Sequence, residues 1–177
     1  MDIVPAGVGE ELLGGNRAAG PRRLERAGKM GIPQIITPCG FDMLSCGPLE
    51  RKEREDPLWV SRGLKERKLF IPDAFRVQAR TTSGELIEVA KQVAKKLNKA
   101  KGPVMALIPL RGWSSLDKEG MPLYDPEADR AFIHELKIQL DPKISLVELD
   151  LHLNTREFAQ EAVNRFLNLY EGNKRKE

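Results

Sequence analysis

The stretch of sequence that decides the fold is residues 82–108, TSGELIEVAKQVAKKLNKAKGPVMALI. Its first part carries an apolar stripe at helical spacing, formed by Leu86, Ala90, Val93 and Leu97, which predicts an amphipathic helix over residues 83–98. Its last five residues, 104–108, are an uninterrupted apolar run that predicts a buried strand. A helix followed at once by a buried strand is typical of a largely parallel α/β sheet.

The same alternation extends to both sides of this stretch. Further strands are predicted at residues 2–4, 34–37, 68–71 and 144–149, and further helices at 20–30, 126–140 and from residue 154 or 155 onward. We therefore expect an α/β fold with three layers: an open, mostly parallel, Rossmann-like sheet of about five strands with helices on both faces. Residues 1–170 are predicted to form a single α/β domain, and residues 171–177 a flexible charged tail.

Two of the helices carry clear start signals. Thr82 followed by Glu85 is a capping box, in which a hydroxyl and a carboxylate bind amides that the first turn leaves unpaired. Asp125 followed by Pro126 has the order of a helix N-cap and first residue. Between the early and middle strands, residues 47–68 are rich in charge and are predicted to be a solvated excursion.

Composition excludes several classes of protein. The chain has 177 residues, 41% of them hydrophobic and 31% charged, and no apolar run long enough to span a membrane. The net charge of +3 is too small to imply a nucleic-acid partner, and no aromatic stacking platform accompanies the basic residues. Without a leader-like amino terminus, and with only Cys39 and Cys46, the chain is predicted to be cytoplasmic with reduced thiols.

The candidate site lies in three polar loops that follow predicted strands: residues 37–42, 109–115 and 150–154. The carboxyl ends of parallel strands meet at one edge of a sheet, where ligands of open α/β folds bind. The glycine-rich opening has Leu12 where a dinucleotide motif needs its last glycine and lacks the P-loop lysine, so the cofactor stays unassigned.

Two residues in these loops are candidates for proton transfer. His152 is a candidate general acid or base oriented by a carboxylate; alternatively, it is a hydrogen-bonded histidine at a strand end, with Asn154 as helix N-cap. Asp42, beside Gly40, is a candidate buried carboxylate holding a substrate hydroxyl or a cation; alternatively, it forms a turn. The other histidine, His134, is predicted to be solvated on a polar helix face.

Other residues in and near these loops suit an anionic ligand. Gly112, Ser114 and Ser115 offer amides and hydroxyls, with Arg111 as the counter-charge. Arg80 and Thr81 precede a helix whose first amides favour an anion. A serine-hydrolase elbow is not indicated, because no second glycine and no immediate helix follow Ser114. The cysteines do not have diagnostic metal-ligand spacing, so no metal is predicted.

Several loop motifs, in order, resemble those of an uncharacterised protein family, that of the tomato mosaic virus resistance protein and its microbial relatives. They are Gly14-Gly15, Ala19-Gly20-Pro21, Gly31-Ile32-Pro33-Gln34, Gly40-Phe41-Asp42-Met43, Arg80-Thr81-Thr82, Gly102-Pro103-Val104, Gly112-Trp113-Ser114, Tyr124-Asp125-Pro126-Glu127-Ala128-Asp129 and His152-Leu153-Asn154. The resemblance covers nearly the whole chain and is to the carboxy-terminal domain. It departs from the family at Leu151-His152-Leu153-Asn154-Thr155-Arg156, where one histidine and an acidic residue are lost, and at Phe70-Ile71.

The resemblance implies a partner. Members of the family carry an ATP-binding domain before this one, so ATP is expected only in that domain, in the same chain or in a separate one. We therefore expect the small-anion-binding or catalytic half of a two-domain protein; whether it is an enzyme stays open. The alternative is a non-catalytic interaction or dimerisation module that supports the ATP-binding domain, and a homodimer is expected.

Overall fold

The strands of the computed structural model, which describes residues 1–174, form two separate three-stranded sheets. The strands are β1 Gln34–Ile36, β2 Met43–Gly47, β3 Leu69–Asp73, β4 Arg76–Arg80, β5 Val104–Pro109 and β6 Ser145–Leu149. The helices are α1 Gly7–Leu13, α2 Glu25–Lys29, α3 Pro57–Ser61, α4 Ser83–Leu97, α5 Pro126–Gln139 and α6 Arg156–Lys174. The α/β class is confirmed.

The parallel sheet has the order β1-β5-β6. Its three strands are the ones that apolar runs predicted most clearly. The predicted strand at residues 2–4 is reduced to one bridge, in which Asp2 pairs with Ile36 in parallel. Side chains alternate across the sheet. Ile36 and Ile108 face the core that contains α4 and α5, whereas Ile35 and Leu107 pack on Phe158 and Ala162 of α6. Helices therefore cover both faces, as expected.

The second sheet is antiparallel, with the order β2-β4-β3, and it corrects the expectation of a single sheet of about five parallel strands. The predicted strand at residues 68–71 belongs to this sheet as β3. β2 was not predicted, because Ser45 and Gly47 interrupt its apolar residues, whereas β4 carries a usable signal in the alternation of Val77 and Ala79 with Arg76, Gln78 and Arg80. The pairing of Met43 with Arg80 brings the end of β4 next to Asp42.

The helix starts of α4 and α5 are confirmed. Thr82 Oγ1 accepts from the Glu85 amide at 3.2 Å, and Glu85 Oε2 accepts from the Thr82 amide at 3.0 Å. Asp125 caps α5 by accepting from the Ala128 amide at 3.1 Å. At α6, Thr155 accepts from the Phe158 amide at 3.2 Å, so the cap is Thr155 and not Asn154.

Three other expectations differ from the structure. The early helix is only α2, five residues long, instead of residues 20–30. α6 continues to Lys174, so it includes residues 171–174, which were expected to be a tail; residues 175–177 lie outside the described residues. Within residues 47–68, Trp59 and Leu64 are fully buried, and Trp59 Nε1 donates to the Cys46 carbonyl at 3.0 Å. That segment therefore contributes to the core. Over residues 1–174, the helices are too short or too polar to cross a bilayer.

Candidate functional site

The three predicted loops meet at the carboxyl edge of the parallel sheet. Ser114 Oγ donates to Asp42 Oδ2 at 2.6 Å, which joins the first loop to the second. His152 Nε2 lies 3.1 Å from the Ser114 carbonyl oxygen, which joins the third loop to the second. Amides of Arg111 and Leu153 add two backbone bonds between the second and third loops, at 3.0 and 3.1 Å. Ser114 is thus the residue through which all three loops are connected.

The glycine at residue 112 is required by this packing. Gly112 has a φ of +116°, and a Cβ there would lie 1.7 Å from the carbonyl oxygen of Asp117 and 3.0 Å from the His152 ring. Gly40 has a φ of +78°, and a Cβ there would lie 2.7 Å from that of Ala6. Gly112 therefore lets the second and third loops approach each other, whereas Gly40 lets the first loop pack against the start of α1.

Below the loops lies a buried cluster of charge, which we name the acidic cluster: Asp42, Asp117, Asp129 and Arg80. Asp42 and Asp117 are 0% exposed, Arg80 is 4% exposed and Asp129 is 8% exposed. Arg80 Nη2 is 2.5 Å from Asp129 Oδ1, and Arg80 Nη1 is 4.0 Å from Asp117 Oδ1. The Arg80 guanidinium also donates to the carbonyls of Asp42 at 3.0 Å and Asp125 at 2.9 Å. Within the described residues, three carboxyl groups share one guanidinium.

The electrostatics of the acidic cluster favour protonation. Burial raises the pKa of Asp42 to about 6, with Asp117 adding to the rise while the hydrogen bond from Ser114 and the charge of Arg80 oppose it. Burial also raises the pKa of Asp129 to about 8, because the neighbouring Asp117 adds to the effect and Arg80 compensates only in part. Near neutral pH the cluster therefore retains a proton that ordinary surface aspartates have lost.

The acidic cluster is also incompletely satisfied. Among the described residues, Asp42 Oδ1, Asp117 Oδ1 and Arg80 Nε have no hydrogen-bond partner. The other Asp117 oxygen accepts from the Trp113 amide at 2.9 Å. A proton retained by Asp129 is hydrogen-bonded to Asp117, which leaves Asp42 Oδ1 and Arg80 Nε as the unsatisfied atoms, each at a cost of about 1–3 kcal/mol. Such an arrangement is more typical of a functional site than of a purely structural ion network.

Arg80 and Thr81 lie inside the protein and not at an open helix terminus. The terminal nitrogens of Arg80 are occupied by the acidic cluster and two carbonyls. Thr81 is buried, and its hydroxyl donates to the Phe41 carbonyl at 2.7 Å. The geometry therefore gives Arg80 the part of an internal counter-ion, and it does not orient the guanidinium towards an external anion.

His152 is held by backbone groups on both sides of its ring. The Asn154 amide donates to Nδ1 at 3.1 Å, so Nδ1 is the acceptor nitrogen, and Nε2 is then the donor to the Ser114 carbonyl. Both ring nitrogens are engaged in holding the third loop against the second. These contacts favour a positioning role for His152, while its predicted role in proton transfer stays a prediction.

The remaining predicted residues are exposed. Arg111 makes a two-pronged ion pair with Asp150 through its Nε and Nη2, at 2.7 and 2.6 Å. Ser115 and Asn154 are exposed as well. Arg111 and His152 line a cleft of about 500 Å³ together with Lys118 and Thr155. The structure therefore divides the predicted set between the acidic cluster, the loop junction at Ser114 and the surface of this cleft.

Sequence reasoning missed Asp117 and Asp129 as members of the site. Asp129 carried a usable signal: it lies one residue after Ala128 and three before Phe132, on the apolar stripe of α5. A carboxylate on a buried stripe needs a partner inside the protein. Asp117 carried no such signal, because it lies in an irregular loop. Within residues 1–174, no three histidine, cysteine or acidic side chains are grouped as a metal ion would require.

Comparison with known proteins was made over the whole chain. A family model described as "Uncharacterised protein family (UPF0261) C-terminal domain" matches residues 1–170. The chain is 37% identical over 172 residues to a UPF0261 protein of Clostridium tetani, covering 97% of this chain and 41% of that protein. It is 33% identical over 150 residues to a UPF0261 protein of Brucella melitensis, covering 84% and 34%.

A plant protein also matches. The ToMV resistance protein Tm-1(GCR237) of Solanum lycopersicum is 31% identical over 171 residues, covering 96% of this chain and 22% of that protein. The chain thus spans less than half the length of each of these three relatives.

Proposed function

This chain belongs to the UPF0261 family, in which it corresponds to the C-terminal domain, and on that premise we propose that it is the small-anion-binding or catalytic half of a two-domain protein. The ligand site lies at the carboxyl ends of the parallel strands. In this proposal the other half is the ATP-binding domain that the family resemblance implies, and ATP is expected to bind to that domain. The lengths of the relatives support a larger protein. The chain covers at most 41% of any of the three, so at least 59% of each relative lies outside the match.

The observation that carries the proposal is the junction of three loops at Ser114, directly above the acidic cluster. Ser114 Oγ contacts Asp42, and the Ser114 carbonyl contacts His152, so one residue connects the buried carboxyl group to the loop surface. A carboxyl group whose pKa is about 6 exchanges its proton near neutral pH. The charge state of Asp42 therefore sets the strength of the hydrogen bond that the Ser114 hydroxyl donates to it, and with it the hold on the second loop.

In this proposal the residues have separate tasks. Asp42 and Ser114 form the polar centre, Gly112 allows the second and third loops to meet, Gly40 allows the first loop to pack on Ala6, and His152 holds the third loop in place. The exposed predicted residues, Arg111, Ser115 and Asn154, would contact the ligand. A cytoplasmic location belongs to the same proposal, since Cys39 and Cys46 are both free thiols.

A thermal-shift screen tests the proposal. The purified chain would be heated with phosphorylated metabolites, small carboxylic acids, nucleotides and divalent metals, each in millimolar excess. We expect at least one small anion to raise the melting temperature of the parent, because a ligand that binds only the folded state stabilises it. Ser114→Ala and Asp42→Asn should lose that response, whereas the surface control Ser61→Ala should keep it.

Two results contradict this proposal. A panel in which no anion raises the melting temperature removes the evidence for a ligand site. A ligand that stabilises Ser114→Ala and Asp42→Asn as strongly as the parent places the site away from the loop junction. Asp42→Asn is informative only if the variant folds, so its unfolding without ligand is recorded first.

The alternative function, an interaction or dimerisation module, has one observation in its favour. Val163, Leu167 and Tyr170 are spaced along one side of α6 and are 42%, 49% and 41% exposed. An apolar stripe of this kind suits contact with another protein surface. Light scattering across a range of concentrations tests it: a dimer that Val163→Gln/Leu167→Gln dissociates supports the module, and a monomer at every concentration contradicts it.

A further inference from the structure

A second cleft at the same edge lies between α5 and the loop that follows β5. It has a volume of about 530 Å³, and we name it the α5 cleft. Leu110, Tyr124 and Pro126 contribute accessible apolar surface to it, while Arg130, His134 and Lys137 come from one side of α5. The spacing of these three α5 residues, four and then three positions, aligns them along the helix. His134, which the sequence placed among solvated residues, is thus part of the wall of a cleft.

Within residues 1–174, each of the two cations of the α5 cleft makes its ion pair with a carboxylate at the surface. Lys137 Nζ is 2.7 Å from Glu148 Oε2, and Arg130 pairs with Glu127. The Lys137 and Arg130 side chains are 46% and 60% exposed. Exposed ion pairs are worth about 0–1 kcal/mol, so both cations can turn to a ligand at little cost.

The floor of the α5 cleft is the acidic cluster, which reaches the cleft through Asp129. An ionised carboxylate at that place would repel an anion. Asp129 is instead paired with the Arg80 guanidinium, and burial raises its pKa to about 8, so the counter-charge of Arg80 and the raised pKa both reduce the negative charge that a ligand would meet there. The charge of the floor is thus compatible with an anionic ligand, and the positive charge lies along α5.

We propose that the α5 cleft binds a small carboxylic acid, with its carboxylate between Arg130 and Lys137 and its apolar body against Leu110 and the ring of Tyr124. This inference goes beyond the proposed function, because it adds a second anion site beside the loop junction and names the class of ligand that site binds. The apolar wall distinguishes the ligand from a fully polar anion such as inorganic phosphate. The size of the cleft limits the ligand to a small molecule.

Benzoate is a suitable probe, with benzamide as its uncharged match. Backbone amide signals of the 15N-labelled chain would be followed by NMR during titration at pH 7. We expect benzoate to shift the amides of Gly112, Trp113 and residues 130–137 with a Kd on the order of 1 mM, the strength typical of so small a ligand. Benzamide should bind at least about tenfold more weakly, because it lacks the charge-assisted contacts.

A charge variant locates the binding. Arg130→Gln/Lys137→Gln should weaken benzoate binding about tenfold or more. The matched control is Arg54→Gln/Lys65→Gln, which removes the same two charges from exposed positions elsewhere and should leave the affinity unchanged. Equal binding of benzoate and benzamide, or equal binding by the two charge variants, overturns the inference.

Failure of this inference is distinguishable from failure of the proposed function. If benzoate shifts only the amides around Arg111, His152 and Thr155, the α5 cleft is the wrong place. If only phosphorylated metabolites stabilise the chain, and Ser114→Ala loses that response, a carboxylic acid is the wrong class of ligand. The site at the sheet edge then survives. If neither benzoate nor any anion of the thermal panel binds, both proposals are wrong.

Discussion

Two buried ionic groups of this molecule differ in the ratio of cationic donors to carboxylate acceptors. At the start of α4, the Glu85 carboxylate receives Arg67 Nη1 at 2.7 Å, Arg67 Nη2 at 3.0 Å and Arg62 Nη1 at 3.4 Å, together with the Thr82 amide. In the acidic cluster, three carboxyl groups share the guanidinium of Arg80 within the described residues. One group has an excess of donors, and the other has an excess of acceptors.

The pKa shifts follow this balance. Burial alone would raise the pKa of Glu85, but the hydrogen bonds and charges of Arg67 and Arg62 and the bond from the Thr82 backbone lower it below its ordinary value. In the acidic cluster the pKa values of Asp42 and Asp129 rise to about 6 and about 8. Burial of charge is therefore not itself a sign of function. The Glu85 group, whose acceptors are all bonded, stabilises the start of α4, whereas the acidic cluster, which has unpaired atoms, lies under a ligand-sized cleft.

The largest change in the free energy of unfolding is expected when the Arg80 guanidinium is removed. Arg80→Met leaves the acidic cluster without a counter-charge and should lower the free energy of unfolding by about 3–5 kcal/mol. Arg62→Met is the matched change in the other group, and it should cost only about 1 kcal/mol because Arg67 still holds Glu85. Urea unfolding of both variants at pH 7 measures the difference; equal losses would contradict the contrast between the groups.

The next effect is a pH dependence with a definite sign. Between about pH 4 and pH 8 the native state binds more protons than the unfolded chain, because the pKa values of Asp42 and Asp129 are raised. The free energy of unfolding should therefore fall by a few kcal/mol from pH 5 to pH 8. Glu85 acts in the opposite sense: its contribution is present above its ordinary pKa of 4.5 and is lost at lower pH.

Urea unfolding at intervals of half a pH unit measures that dependence. Asp42→Asn/Asp129→Asn removes both titrating groups and should flatten the curve between pH 5 and pH 8. A parent whose stability rises over this interval would show that the acidic cluster is ionised at neutral pH.

The smallest effect is a pair of isosteric changes with opposite signs. Asp117→Asn keeps an oxygen for the Trp113 amide and removes a charge from the overloaded cluster, so it should stabilise the chain by about 1 kcal/mol at pH 8. Glu85→Gln removes a charge that two guanidiniums bind and should destabilise by about 2 kcal/mol. Melting temperatures at pH 8 are sufficient to see the signs. If Asp117→Asn instead lowers the melting temperature, the Asp117 carboxylate stabilises the fold in the same way as Glu85 does at the start of α4.

The two groups also differ in how far the sequence revealed them. The Glu85 cap was predictable, because Thr82 and Glu85 are three residues apart and the motif is local. In the acidic cluster, the sequence predicts Asp42 as a buried carboxylate and Arg80 as a clamp for an external anion, and it gives no role to Asp117. The reason is the missed antiparallel sheet: only the pairing of β2 with β4 brings Arg80 to Asp42. No local periodicity reports a contact between residues so far apart in the chain.

The sequence by itself determined the helices with caps, the three strands with continuous apolar runs and the meeting of three polar loops at one edge of a parallel sheet. These features depend on interactions between near neighbours or on the solvent preference of each residue. Only the tertiary structure decided that Arg80 faces inward, that His152 is fixed by two backbone groups and that His134 lines a cleft. The energy of a charged or polar side chain depends on which distant groups surround it once water is excluded, and that is a property of the folded chain.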